Sequence, residues 1–427
     1  MNVDAYKQRV VDNVIKERLH SVGAIVIEGP KWCGKSTTGL YHSNSAIYLD
    51  DPSRRRQYEL FAEQDPKLLL EGDTPRLLDE WEIIPSLWDA VRFTVDHHRG
   101  FGQFILTGSA KPTDRTKISH SGTGRFSWLR MRPMSLLESG DSSGEISIRK
   151  LFDGDNSPIM AEANADLHKI AFLCCRGGWP MATYLEGKYA LNPAKDYFNA
   201  VVNVDINKVD NVNRSTERAR QLMKSYARFQ GTQTPMSQIV NDMNGNDVKV
   251  MDEKTARSYI DALESIFVIE EMPAWNPNLK SKTAIRTTPT RYFVDPSIAT
   301  ASLGCGPGGL IDDLKTFGYV FESLCARDLR VYAQALEGEV YHYRDKNGLE
   351  CDAVIYLPDG NYALIEVKLG GEAKIEEGAS NLINLASKID TTKMKAPSFL
   401  MVLTAIGSLA YKRSDNVYVV PVTTLGI

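Results

Sequence analysis

Gly29-Pro30-Lys31-Trp32-Cys33-Gly34-Lys35-Ser36, followed by Thr37, sets two glycines, a lysine and a hydroxyl at the spacing of a phosphate-binding loop. Each part has a task. Gly29 and Gly34 let backbone N–H groups approach phosphate oxygens, and a helix beginning at Lys35 would point its positive end at them. Lys35 is expected to hold the β and γ phosphates of ATP, and the Ser36 hydroxyl to ligate Mg²⁺. The plainer reading is a glycine-rich turn that caps a helix; the apolar run Ala24-Ile25-Val26-Ile27 directly before the loop argues against it.

ATP chemistry needs more than a cradle. Leu77-Leu78-Asp79-Glu80 offers an acidic pair after an apolar run, with Asp79 reaching Mg²⁺ through water and Glu80 polarising the attacking water as general base. Ile105-Leu106-Thr107-Gly108-Ser109 ends in hydroxyls suited to orienting water or sensing the γ phosphate, Thr107 first and Ser109 in reserve. Arg125, in Ser121-Gly122-Thr123-Gly124-Arg125, is a candidate for stabilising transition-state charge in an adjacent subunit, against the plain alternative of a surface arginine.

A second set stands far downstream. Asp352 lies on one expected strand, and Glu366 and Lys368 on the next, where alternation puts the last two on one face. Pro358-Asp359-Gly360 is a turn that would bring the two strands together. Asp352 and Glu366 are candidate ligands for Mg²⁺ or Mn²⁺, with Glu322 on the preceding helix as a further ligand. Lys368 would position or activate water for attack on a phosphodiester. The plain alternative is a scaffold whose charged residues pair with one another.

The elements that must carry these residues are legible as patterns. Apolar runs at 24–28, 76–80 and 103–107, separated by helix-length segments, predict a parallel α/β sheet with its chemistry at the carboxyl edge. After about residue 135 the strands are expected to stop. Ser139-Gly140-Asp141-Ser142-Ser143-Gly144 reads as a loop and Gly177-Gly178-Trp179-Pro180 as a turn. Helices at 216–230, 235–243 and 252–265, then strand-like stretches at 267–272 and 291–294, suggest a winged helix-turn-helix. Arg257, Lys280, Lys282, Arg286 and Arg291 are its candidate phosphate contacts, against a solvated basic face. From 318 a second α/β unit is expected: a helix to 336, strands near 339–344, 350–357 and 361–368, a helix at 374–390, and strands near 398–404 and 417–421. The expected domains are 1–138, 139–212, 213–300 and 301–427.

The phosphate loop, Leu78-Asp79-Glu80-Trp81, Phe104 to Ser109, His120 to Arg125, Met131 to Glu138 and Arg176-Gly177-Gly178-Trp179-Pro180, in this order, resemble a prokaryotic family of AAA+-like ATPases. In that family an N-terminal ATPase is joined to a C-terminal domain of unknown function. The resemblance implies Mg²⁺-dependent ATP binding and hydrolysis, and suggests a homo-oligomer. The Asp352, Glu366 and Lys368 set resembles the PD-(D/E)XK nucleases, with Cys351 where that pattern has proline. The fold class expected is therefore α/β: an AAA+-like P-loop parallel sheet, a winged-helix region and a PD-(D/E)XK-like α/β domain.

Composition sets the limits. At 427 residues the chain is long enough for two to four domains, and 43% hydrophobic with 24% charged residues is ordinary globular usage. A net charge of −4 gives no global pull toward nucleic acid, so DNA would need a local basic surface. No apolar run reaches membrane-spanning length, and the polar start lacks the core of a secretory signal, so a cytoplasmic protein is expected. Six cysteines without Cys-x-x-Cys spacing read as reduced, mostly buried thiols. Three functions fit: an ATPase coupled to a nuclease-like domain that binds or cleaves nucleic acid, a nucleotide-switched DNA-binding regulator with an inactive nuclease fold, and a protein-remodelling ATPase that never meets nucleic acid.

Overall fold

Short runs of β-branched and aliphatic residues build the first sheet. The computed structural model describes residues 6–98, 100–110, 122–154, 159–210, 212–245, 251–281 and 284–427. The chain forms two compact units: one holds residues up to Pro133 with Asp205–Asn213 and Ala262–Val268, the other Met134–Val204, Arg214–Asp261 and Ile269–Ile427.

In the first unit, helix α1 (Val11–Leu19) precedes strand β1 (Ala24–Glu28), and helix α2 (Lys35–Tyr41) follows the phosphate loop. Strands β2 (Ser45–Tyr48) and β3 (Arg76–Asp79), helix α3 (Leu87–His98), and strands β4 (Phe104–Gly108) and β5 (Phe126–Arg130) follow, with a further helix over Arg55–Gln64 between β2 and β3. All five strands are parallel, in the order β2-β3-β4-β1-β5. Ala24 pairs with both Phe104 and Phe126, so Glu28, Gly108 and Arg130 end at one edge beside Asp79. The expected strands at 24–28, 76–80 and 103–107 are present, and β2 and β5 add two more.

One face of this sheet packs Ala24, Val26, Leu78 and Leu106 against Trp81, Leu87, Trp88 and Val91. On the other face α2 comes close because Gly39 carries no side chain; a Cβ there would meet Leu77 at 2.8 Å and Thr107 at 3.2 Å. Truncating a side chain as buried as Leu106 would cost about 2–5 kcal/mol.

The second unit begins on a capping box at Ser135 and Glu138. Helix α4 (Leu167–Arg176) starts on the side chain of Asp166. Helix α5 (Thr216–Arg228) starts on Ser215, and α6 (Met236–Asn244) and α7 (Glu253–Ser265) follow it. The ribbon expected after them is two isolated antiparallel bridges, Ile269 to Phe293 and Met272 to Thr290. Helix α8 (Pro296–Leu303) follows, with Asp295 as its cap and Pro296 in its first turn.

The C-terminal part runs from α9 (Leu314–Ala335). A two-residue strand, β6 (Ala161–Glu162), lies ahead of it in sequence, so strands do not stop near residue 135 as expected. Strands β7 (Glu339–Arg344), β8 (Glu350–Tyr356) and β9 (Tyr362–Lys368) are an antiparallel meander. Helix α10 (Glu372–Lys388) crosses over to β10 (Phe399–Thr404), and β11 (Leu409–Lys412) and β12 (Val417–Pro421) finish the sheet. The sheet order is β6-β11-β12-β10-β9-β8-β7, with β10 parallel to β9 and β12. The crossover closes over Ala379, Leu382 and Leu385, packed with Tyr362, Leu364 and Val402. From α9 to β10 the succession is α-β-β-β-α-β. All six cysteines are free, and five are buried.

Candidate functional site

The phosphate loop leaves β1 at Glu28 with its backbone set by two glycines. A side chain at Gly29 would stand 2.0 Å from the carbonyl oxygen of Met131, and Gly34, at φ 102°, caps α2 in a left-handed conformation. Cys33 is buried, with its thiol toward the Met131 carbonyl, whereas Trp32 is exposed. Lys35 is 4% exposed and donates from Nζ to the Pro30 carbonyl at 2.9 Å, which holds its ammonium inside the turn of the loop. Lys31, expected among the nucleotide contacts, forms an ion pair with Asp205 at 2.7 Å.

Asp79 ends β3 beside the first turn of α2. Its carboxylate accepts from the Thr107 hydroxyl at 2.5 Å and is hydrogen-bonded to the Ser36 side chain. Burial raises its pKa above the ordinary carboxylate range, and the two hydroxyls pull it back. Glu80 follows in a left-handed conformation, φ 54°, with its amide donating to Thr107 Oγ1 at 3.2 Å. Its carboxylate accepts from Ser109 Oγ at 2.8 Å. Thr107 and Ser109 therefore both join the cluster, one on Asp79 and the other on Glu80. Ser36 and Asp79 supply a hydroxyl and a carboxylate, hard oxygen donors of the kind Mg²⁺ takes, next to a loop built for phosphate.

Arg125 does not join this cluster within the chain. It immediately precedes β5, at the edge of the sheet opposite the phosphate loop, and its guanidinium pairs with Asp96 at 2.6 Å. The whole length of a strand separates it from Gly29. A different arginine stands at the carboxyl edge: Arg130 donates to Glu28 at 2.6 Å and lies over the Phe267 ring, 4.3 Å from its centroid. Its place at the end of β5 follows from the register with β1, which no local motif announces. His120 and Ser121 lie outside the described residues.

At the C-terminal set the expected juxtaposition is present. Asp352 accepts from the amide of Val367 at 2.8 Å, and Lys368 Nζ lies 2.6 Å from Glu366 and 3.8 Å from Asp352. Glu322 is half-buried and accepts from the Tyr292 hydroxyl. Burial, then the charge of Asp352, pushes both Glu322 and Glu366 well above the carboxylate range. Burial works against the Lys368 ammonium, but Asp352 and Glu366 outweigh it and hold the lysine charged.

Among the described residues no three His, Cys, Asp or Glu side chains gather to hold an ion. Glu366 meets Lys368 through Oε2 while its Oε1 is buried with no hydrogen-bond partner among the described residues, Glu322 accepts from Tyr292, and Asp352 accepts from a strand amide.

The basic candidates of the 213–300 region separate in the same way. Arg257 and Arg286 are exposed. Lys280 is exposed and donates to the Ser387 carbonyl at 2.8 Å. Arg291 is 4% exposed and paired with Glu271, and its guanidinium also donates to the Thr234 carbonyl. It is not a phosphate contact. Lys282 lies outside the described residues.

Residues 21–139 match the family model of an AAA domain. Residues 167–308 and 317–425 match two domains of unknown function, DUF8612 and DUF4143. The chain is 21% identical over 355 residues to the uncharacterized proteins Mb2031c of Mycobacterium bovis and Rv2008c of Mycobacterium tuberculosis, covering 83% of this chain and 72% of each relative. Among solved structures, the Walker-type ATPase paby2304 of Pyrococcus abyssi overlaps 70% of this chain and 96% of its own, at 12% identity and a TM-score of 0.42. The replication initiator DnaA bound to AMPPCP and single-stranded DNA overlaps 61% and 91%, at 14% identity and a TM-score of 0.31. The AAA-domain match and the loop geometry together define an ATP-binding AAA-type P-loop domain. No helix among the described residues is long and apolar enough to cross a membrane.

Proposed function

We propose that this chain is a Mg²⁺-dependent ATP hydrolase whose nucleotide state controls a nuclease-like C-terminal domain that binds nucleic acid. The observation that carries the hydrolase is the convergence on Asp79 of hydroxyls from Ser36 and Thr107, with Glu80 beside it. Mg²⁺, when bound, offsets the charge on the β and γ phosphates, and Ser36 and Asp79 are the residues that would hold it. Lys35 adds its positive charge to the phosphates. Glu80, its backbone fixed by Thr107, orients water for in-line attack and takes its proton.

The α-β-β-β-α-β succession with Asp352 on its second strand and Glu366 and Lys368 on its third supports a PD-(D/E)XK-like fold. The engagement of Glu322 by Tyr292 and of Glu366 by Lys368 favours recognition over cleavage, which is the nucleotide-switched reading. Arg257 and Arg286 are the exposed cations proposed to meet phosphate.

One experiment tests both halves: phosphate release with and without DNA, while DNA integrity is followed in Mg²⁺ and in Mn²⁺. ATP turnover in wild type and none in Lys35→Ala supports the hydrolase; no turnover in either refutes it. ATP-dependent retention of intact DNA supports the switched reading. Cleavage lost in Lys368→Ala would replace it with a working nuclease, and salt-independent or absent DNA binding would leave protein remodelling as the function.

A further inference from the structure

We propose that Glu82 is a positioning residue for ATP hydrolysis, holding Glu80 in place through Ser109. The inference rests on the reading of Glu80 as the general base. Glu82 stands on the short 3-10 turn Trp81–Ile83 that follows β3. Its Oε1 accepts from the backbone amides of Ser109 at 2.7 Å and Ala110 at 3.3 Å. It thereby fixes the chain where it leaves β4. The Ser109 hydroxyl in turn donates to Glu80 Oε2 at 2.8 Å. A serine hydroxyl has one hydrogen to give, and the 2.8 Å contact takes it in preference to the 3.5 Å contact with Glu82. Support therefore runs from Glu82 to the Ser109 backbone and from the Ser109 side chain to Glu80, beside a direct side-chain hydrogen bond between Glu82 and Glu80.

Two further observations fit a built arrangement. The other oxygen of Glu82, Oε2, is buried and lies where a side chain on Gly108 would stand, 2.9 Å from the Cβ. The absence of a side chain at Gly108 is what gives the carboxyl its room. Glu80 itself sits in the left-handed region, which a non-glycine residue keeps only when neighbours hold it. Burial and the adjacent Glu80 charge push Glu82 up to about 8, so near neutral pH it carries its proton and adds no second negative charge beside the base.

A merely structural Glu82 would affect folding and nucleotide affinity together. The test measures, in the full chain, kcat by phosphate release, nucleotide affinity with a fluorescent ATP analogue, and Tm, for Glu82→Ala, Glu82→Gln, Ser109→Ala and the double variant Glu82→Ala/Ser109→Ala. The expected result is a kcat lowered about tenfold or more in Glu82→Ala and in Ser109→Ala, since small misplacements of a reacting group carry losses of that order. Affinity should stay within about twofold, because the change acts on the transition state and not on ground-state binding. Glu82→Gln keeps an acceptor for the two amides and should retain most of kcat. The double variant should be no slower than the slower single, since both act through one link.

Wild-type kcat in Glu82→Ala overturns the proposal, as do single losses that multiply in the double variant. Equal loss of kcat and affinity in Glu82→Ala and Glu82→Gln overturns it too. If Glu82→Ala does not fold, Ser109→Ala and Glu82→Gln still decide. A wild-type chain without turnover refutes the hydrolase reading instead, and this inference falls with it.

Discussion

The hydroxyl of Thr107 joins Asp79 to the backbone of Glu80, donating to the carboxylate at 2.5 Å and accepting from the amide at 3.2 Å. A single oxygen on β4 thus sets both the residue that would hold Mg²⁺ and the residue that would activate water.

Replacing that oxygen separates positioning from binding. Thr107→Val keeps the β-branched shape packed near Gly39 but removes both hydrogen bonds, and should lower kcat by about 10- to 100-fold, the range for losing one preorganised contact or somewhat less. Thr107→Ser restores the oxygen and should recover most of it. Nucleotide affinity, read by fluorescence titration, should change little in either variant. A Thr107→Val chain with normal turnover would show that the bridge is incidental.

Removal of the metal should act on the same cluster from the other side. With EDTA in excess, turnover should stop and nucleotide affinity should fall, and both should return with Mg²⁺. Ser36→Ala should demand more Mg²⁺ for half-maximal turnover, while Lys35→Ala should lower affinity by about tenfold or more at any Mg²⁺ level, as the loss of a point charge beside phosphate predicts. Isothermal titration of Mg·ATP reads both. Identical Mg²⁺ dependence in wild type and Ser36→Ala would remove Ser36 from the metal site.

The division between what sequence shows and what it hides follows from this geometry. Gly29 to Ser36 is a local motif, and its strand and helix are continuous with it in the chain, so loop and flanking elements were readable together. Asp79 and Thr107 were readable because each ends an apolar run. Glu82 and Arg130 were not, since their partners Ser109 and Glu28 are 27 and 102 residues away and reach them only through strand order. Arg291 shows the opposite error: it is an arginine in a basic neighbourhood, but it is buried and paired with Glu271. Strand direction places Arg125 away from the phosphate loop of its own chain, which does not bear on its expected role toward an adjacent subunit. At the C-terminal set Asp352, Glu366 and Lys368 fell together as alternation requires, whereas the hydrogen bond from Tyr292 to Glu322 depends on a contact across 30 residues that no spacing rule carries.

His342 should make the fold acid-sensitive. It is 1% exposed, Nε2 lies 3.0 Å from the Thr288 carbonyl, and burial with the Arg344 charge lowers its pKa to about 4. An unfolded histidine titrates near 6.5. Between those values the unfolded chain binds the proton and the folded chain does not. The contribution of His342 is therefore intact above about pH 6.5 and is lost progressively as pH falls toward 4, to a total of about 3 kcal/mol. His342→Gln should flatten that part of a Tm-against-pH curve. An equal slope in wild type and variant would assign the acid loss to other groups.

Lys368 is the ammonium beside Glu366 and Asp352, and its removal should be felt as stability before it is felt as chemistry. Lys368→Met leaves buried carboxylates without their counter-charge; for a fully buried pair the cost is about 3–5 kcal/mol, and the 19% exposure of the lysine places this one at or below the lower end. Part of that cost would be met by proton uptake on Glu366, which burial already favours. Glu366→Leu combined with Lys368→Met removes both charges together and should regain part of the loss, because a well-packed apolar replacement of an ion pair is often neutral. Guanidinium unfolding of the three chains measures the difference, with ATP turnover as the check that the first unit is intact. If the double variant is no more stable than Lys368→Met, the pair is not what the lysine stabilises, and its exposed remainder points back to a ligand that needs a positive charge at this place.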